Sequence, residues 1–262
     1  MIEGNNELAV ATLMTIPLMA YLYQYQTRWW IKKGLLAAIP LSFVAAIGTQ
    51  SRGALLACCA VIAFFWMKSD KKATIGVAFI ALSISVLAFM PESWYSRMNT
   101  IETYEEDTSA MGRLNAWEYA FNAANNRLFG MGFESWTREA FLMYAPNPND
   151  VHAAHSIYFS VLGDHGWIGL FLYLLIYKKA WSVLKGIIDQ TNNVDEFGEI
   201  NFLARMLQVS FIAYFVGGAF LSLSYYDLPW HLISMVICLK MMLPVIDKTP
   251  FSMEKRIKIS RI

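Results

Sequence analysis

An all-α polytopic membrane protein is the fold class that this sequence predicts, on the strength of its long apolar runs, its low share of charge and the confinement of its lysines to alternate loops. Hydrophobic residues make up 56% of the 262 positions and charged ones 16%, where charge in a soluble domain approaches a quarter of the chain. Mean hydropathy is +0.39. A bilayer core roughly 30 Å thick needs about 20 mostly apolar residues per helix. Seven runs meet or approach that length: 8–25, 34–50, 53–66, 73–90, 156–177, 202–223 and 229–246. The third is the shortest.

Lysine and arginine set the orientation. Arg28, Lys32 and Lys33 follow the first run; Lys68, Lys71 and Lys72 the third; Lys178, Lys179 and Lys185 the fifth. The tail carries Lys248, Lys255, Arg256, Lys258 and Arg261. These four segments alternate onto one side, which predicts the cytoplasm, and Arg205 and Lys240 near cytoplasmic helix ends can snorkel to it. The other side has no lysine, only Arg52, Arg97, Arg113, Arg127 and Arg138. The expected organisation is transmembrane helices one to four over 1–91, an extracytoplasmic loop over 92–155, helices five to seven over 156–246 and a basic cytoplasmic tail over 247–262. The N-terminus then lies outside without the basic stretch of a cleavable signal. The expectation is a C-terminal part of a longer protein that lacks the helices preceding it.

Several function classes drop out. A net charge of +1, with no basic stripe interleaved by aromatics, gives no nucleic-acid footprint. Cys58, Cys59 and Cys238 fall inside apolar runs in no metal-type spacing, and read as small apolar fillers. Glu105-Glu106-Asp107 reads as a solvated loop, and Trp29-Trp30 and Trp94-Tyr95 as interfacial aromatics.

The long loop is the place to look for function. Residues 112–127 put Leu114, Trp117, Ala120, Phe121 and Ala124 on one helical face, predicting an amphipathic helix that lies on the membrane or caps the bundle. Residues 135–144 predict a second short helix, ended by the turn Pro146-Asn147-Pro148-Asn149.

Seven residues carry the candidate chemistry. Arg52, in Thr49-Gln50-Ser51-Arg52-Gly53, stands at a tight break between two membrane runs, where an arginine either snorkels to lipid phosphate or binds a ligand. Arg113 follows Gly112 at the expected start of the loop helix; a helix N-terminus attracts phosphate, and a guanidinium grips phosphate oxygens in pairs. Two such arginines on one face suggest a diphosphate clamp. Asp150, His152 and His155 form the densest polar cluster beside a membrane run. It is open to three readings: a metal site, general base work by a histidine with an ordinary pKa near ~6.5, or structural hydrogen bonding. Asp164 and His165 fall inside the fifth run, where ionisable groups face protein or water: either a structural pairing or a proton relay, the latter marking a transporter or flippase. Gly163, Gly166 and Gly169 beside them would admit a neighbouring helix.

Three motifs occur in order: Thr49-Gln50-Ser51-Arg52-Gly53-Ala54, Gly112-Arg113-Leu114-Asn115-Ala116-Trp117, and His155-Ser156-Ile157-Tyr158 with the later Gly163-Asp164-His165-Gly166-Trp167-Ile168-Gly169-Leu170. Together they resemble the O-antigen ligase and polymerase superfamily of bacterial inner-membrane proteins. The run Val151 to Tyr158 looks closest to the O-glycosylation ligases associated with exosortase systems, and Gly4-Asn5-Asn6-Glu7-Leu8-Ala9 resembles a mid-chain segment of that group. The family's His-Asn is His155-Ser156 here. The resemblance implies a metal-independent, inverting glycosyltransferase with no cofactor. Its donor would be a glycan on undecaprenyl diphosphate and its acceptor a hydroxyl on lipid A–core, protein or another glycan, with the active face periplasmic. By motif, it makes Arg52 and Arg113 diphosphate ligands and His155 the catalytic base, with His152, Trp117, Tyr158, Asp164 and His165 in support. A polymerase of the same superfamily is the nearest rival.

Overall fold

A computed structural model describes residues 4–49, 52–68, 108–192 and 194–243, with isolated helical positions 73, 76, 77, 80 and 84. The expected fourth run apart from those positions, the acidic group at 105–107 and the basic tail lie outside the described residues. The elements are α1 (Asn5–Tyr25), α2 (Trp29–Gly48), α3 (Arg52–Lys68), α4 (Thr108–Asn126), α5 (Arg138–Tyr144), α6 (Ile157–Thr191), a 3-10 turn at Asp195–Phe197, α7 (Gly198–Gly218) and α8 (Asp227–Met242). The chain is an all-α, multi-pass membrane protein. Asn5–Tyr25, Trp29–Gly48, Ile157–Thr191 and Asp195–Gly218 are long and apolar enough to cross a membrane, and Gly53–Met67 forms a shorter apolar helix.

Small residues set the packing, because apolar side chains gain little from leaving lipid and contact quality decides instead. α1, α3 and α7 meet at Gly217. A methyl added there would come within 2.5 Å of Val10 Cγ2 and 3.2 Å of Ala57 Cβ. Polar side chains then fix register. Ser210 Oγ donates to the Met14 carbonyl at 2.8 Å, and Tyr21 Oη to Glu199 Oε1 at 2.6 Å, so α1 and α7 run antiparallel. Tyr173 and Tyr214 share a hydroxyl hydrogen bond between α6 and α7, and Tyr214 donates onward to the Leu223 carbonyl at 3.0 Å. At the far end of this pair, Asn201 Nδ2 reaches the Ile188 carbonyl and Thr191 Oγ1. Arg205 Nε donates to Asn201 Oδ1 at 2.7 Å, so this arginine also serves the helix contact.

The fifth expected run is not one straight helix. Gly166 has φ 65° and ψ −168°, so α6 consists of a short entry helix and a long one after the break. Asp164 and His165 therefore sit at the break, not at the centre of a continuous span. The long helix runs on past Lys178 and Lys179, and the expected boundary at 177 is not a helix end.

Gly217→Val should lower the melting temperature in detergent, since overpacking of this kind typically costs about 1–3 kcal/mol. Gly34→Ala, where a methyl meets no atom within 4 Å, should leave melting unchanged or raise it. Equal melting of the two variants would contradict the packing described.

Candidate functional site

α4 supplies one wall of the site. Its described part, Thr108–Asn126, already includes the four residues before Gly112, so Gly112 and Arg113 lie inside the helix and not at the start expected for it. Nothing in Thr108-Ser109-Ala110-Met111 breaks a helix, and the phosphate-binding N-terminus expected at Gly112 is absent. Gly112 is needed for another reason: a methyl there would lie 2.8 Å from His152 Nδ1.

The buried face of α4 also differs from the expected stripe. Ala116, Tyr119, Ala120 and Ala123 are fully buried, at i, i+3, i+4 and i+7, whereas Leu114 and Phe121 are 44% and 45% exposed. Alanines face the core because α6 approaches closely: a methyl on Gly163 would stand 3.4 Å from Ala120 Cβ and 2.9 Å from Trp136 Cζ2. The neighbour admitted by Gly163 is thus α4 together with the 128–136 loop.

The motif Gly112 to Trp117 is a clamp on the segment that leads to His155. Asn115 Oδ1 accepts from the Asn147 N–H, and its Nδ2 donates to the carbonyls of Asn147 and Asp150, all at 2.9 Å. Trp117 Nε1 donates to the Ala154 carbonyl at 2.7 Å, and its ring stacks on Phe159 with centroids 4.8 Å apart. Held this way, residues 151–155 are non-helical, so His152 and His155 do not share a helix face as the spacing of three suggested. His155 itself takes a left-handed backbone, φ 45°, a conformation uncommon for residues other than glycine.

His155 is half-buried, and its Nδ1 lies 3.1 Å from Ser222 Oγ in the α7–α8 loop. Burial holds its pKa below the ordinary histidine value; Arg113 and His152 push the same way, and Glu7 from the first turn of α1 opposes them. His152 points elsewhere: its Nδ1 is 2.6 Å from Asp150 Oδ1. Among the described residues, no group of three His, Cys, Asp or Glu side chains could hold a metal ion.

α3 approaches the same end of the bundle. Its Gly53 packs against Phe220 and the Gly217 carbonyl, so that a methyl there would lie 3.2 Å from Phe220 Cβ. The Arg52 backbone thereby lies beside the loop that bears Ser222. The Arg52 side chain is outside the described residues.

A second cluster fastens this end together. Asp164 is buried, and its two carboxylate oxygens accept separately from Trp136 Nε1 at 2.9 Å and Tyr225 Oη at 2.7 Å. Tyr225 Oη also stands 3.1 Å from His165 Nε2. Tyr225 follows Ser222 by three residues, so the loop that touches His155 is the loop held by Asp164. Tyr158 Oη donates to the Phe215 carbonyl at 3.1 Å, which pins α6 to α7.

The sequence reading did not single out Ser222, Tyr225 or Glu7. No spacing signal could have found the first two, since they reach the site from 67 and 61 residues away. Glu7 had one, its place in the Gly4 to Ala9 segment already noted as similar to the same superfamily.

A family model described as O-antigen ligase matches residues 35–174, more than half of the chain, and takes in Arg52, Arg113, His155, Asp164 and His165. No curated protein and no solved structure matches the chain.

The lowered pKa of His155 has a sign. The unfolded chain binds that proton first as pH falls, so stability rises with pH between the folded value and the ordinary ~6.5. Arg113→Gln removes a neighbouring cation and should raise the His155 midpoint, read by NMR of ring-labelled histidine in detergent. A midpoint that stays put would take Arg113 out of the site.

Proposed function

Because the chain belongs to the O-antigen ligase family, we propose that it transfers a glycan from undecaprenyl diphosphate to an acceptor hydroxyl on lipid A–core, protein or another glycan. The reaction takes place on the extracytoplasmic face of the bacterial inner membrane. This orientation rests on the lysine distribution, which puts the His155 end of the bundle outside. Nucleotide sugars are absent there, so a donor has to arrive already activated on a lipid. The likeness of Val151 to Tyr158 to the exosortase-associated O-glycosylation ligases favours a protein-linked product.

One observation supports the mechanism above the others: His155 lies within electrostatic reach of Arg113, with Nδ1 engaged by Ser222. If Ser222 Oγ accepts from Nδ1–H, Nε2 carries the lone pair that faces substrate. The acceptor oxygen attacks the anomeric carbon as its proton passes to Nε2. The bond from that carbon to the diphosphate oxygen breaks, and its electron pair leaves on undecaprenyl diphosphate. Attack opposite the leaving group inverts the anomeric centre. Arg113, joined by Arg52 from the start of α3, offsets the charge developing on the diphosphate, a task for preorganised cations in a site of low dielectric. The step needs no metal and no cofactor. Asp164, Tyr225, Trp117 and Asn115 hold the two segments that carry His155 and Ser222.

Transfer from an undecaprenyl-diphosphate glycan, assayed in membranes carrying the chain, tests this reading. His155→Ala should remove general base catalysis, typically ~10²–10⁴-fold. Arg113→Ala should cost on the order of 10²–10³-fold. Ser222→Ala should lose less than His155→Ala, and Tyr158→Phe should transfer at close to the wild-type rate. Because His155 of the donor-free chain stays neutral to lower pH than an ordinary histidine, kcat/KM for the donor should hold through pH ~6.5 before it falls. Full rates in both the His155 and Arg113 variants would sink the proposal. A ladder of repeats in place of one transferred block would assign the chain to polymerisation.

A further inference from the structure

We propose that the groove between α6 and α8, at the end of the bundle away from His155, binds an anionic phospholipid, with an acyl chain along the groove and the phosphate held by Lys179 and Lys240. The cavity has a volume of about 660 Å³, within the ~300–1,000 Å³ range of sites that enclose a ligand. Its walls are regular. Positions 176, 179, 180 and 183 on α6, and 233, 236, 237 and 240 on α8, all line it. Each set follows the i, i+3, i+4, i+7 spacing of one helical face.

Ala180 and Val236 are buried at the floor, while Ile176 and Ile237 are exposed at the rims, 41% and 55%. Short side chains below and long ones above make a trough along the helices, open to the surroundings. In a membrane, a trough of that kind is filled by hydrocarbon.

The two lysines decide which hydrocarbon. Both are exposed, and each stands among apolar groove residues, one on either wall. An ammonium on a membrane-crossing helix is costly unless its stem snorkels to the polar boundary. Two lysines that line one groove from separate helices place two cations beside whatever headgroup sits above the chain. A zwitterionic headgroup brings a cation of its own; an anionic one leaves its phosphate charge uncompensated, and so fits better. An apolar helix in the groove would have to cover both ammonium groups with nothing to neutralise them. Lys240 lies in the last turn of α8, at the same end of the bundle as Lys32 and Lys33 in the first turns of α2. That is the cytoplasmic side on the proposed orientation, where anionic lipid attracts basic residues.

The test uses the full chain reconstituted in bilayers of equal phosphatidylglycerol and phosphatidylcholine, released into the gas phase for native mass spectrometry. The wild type should retain phosphatidylglycerol in preference. Lys179→Gln and Lys240→Gln should each weaken that preference on the order of fivefold, as expected for about 1 kcal/mol per basic residue at an anionic surface. Lys178→Gln with Lys185→Gln, outside the groove, should not. Ala180→Leu, with both lysines intact and melting unchanged, should reduce retention by filling the floor; phosphate binding without a chain would leave it untouched and overturn the proposal. Equal retention of the two lipids, equal loss in the control pair, or a second copy cross-linked through Ile237→Cys with no lipid bound, would each overturn it too.

Discussion

The arrangement of the site depends on how the backbone is satisfied where α6 breaks. A helix interrupted in an apolar setting leaves carbonyls without donors, and each would cost several kcal/mol if orphaned. At Gly166 the chain turns out of the helix, and the loop between α4 and α5 supplies what is missing. The N–H of Met131 donates to the Gly163 carbonyl, and that of Gly132 to the Asp164 carbonyl, both at 2.9 Å. The approach is as close as backbones come: a methyl on Gly166 would fall 2.3 Å from the Leu128 carbonyl oxygen, and one on Gly130 2.5 Å from the Gly166 nitrogen. Both glycines have positive φ, so each meets a conformational requirement as well as a steric one. The loop is therefore part of the fold of α6.

Asp164 extends that joint to the side chains. Its carboxylate takes one bond from the loop, through Trp136, and one from the α7–α8 connection, through Tyr225. Three segments distant in sequence are held by one residue, and the third of them presents Ser222 to His155. A carboxylate with both oxygens occupied by fixed aromatic donors is suited to holding geometry more than to passing protons. The break at Gly166 puts Asp164 and His165 at a joint between helices, and these partners give Asp164 the structural pairing that the sequence left open beside a proton relay.

The sequence made the fold class plain, because apolar runs and lysine placement report on the bilayer directly, and the runs at 8–25, 34–50 and 202–223 coincide closely with α1, α2 and α7. What it obscured has physical causes. Apolar periodicity could not reveal the break in α6, because the apolar run resumes at Trp167 and reads as one span while the backbone changes direction at Gly166. The face of α4 was misjudged because apolar size was counted instead of fit: Leu114 and Phe121 are too large for the contact that Ala116 and Ala120 make. The clamp by Asn115 and Trp117 was invisible, since it consists of side chains reaching backbone carbonyls more than 30 residues away. The motif that carried the family resemblance thus contains one candidate ligand, Arg113, and two residues whose bonds shape the segment beside it. That mixture is expected where a site has to be held as well as lined.

The charges around His155 bear on the order of events in the proposed reaction. With Arg113 close and no anion bound, the imidazole is kept neutral, and a neutral ring is also a weaker base than an unperturbed one. A diphosphate arriving at Arg113 reverses that balance: it neutralises the nearby cation and adds negative charge of its own, so the His155 pKa rises when the donor is in place. Glu7, which already pulls in that direction from α1, adds to the effect. The ring is then a better proton acceptor with donor bound than without it, and the imidazolium it becomes stands beside the diphosphate whose charge grows as the glycosyl bond breaks. In the proposed reaction, binding of the donor and activation of the acceptor would be coupled through one arginine, beside a backbone that Asn115 and Trp117 hold in place.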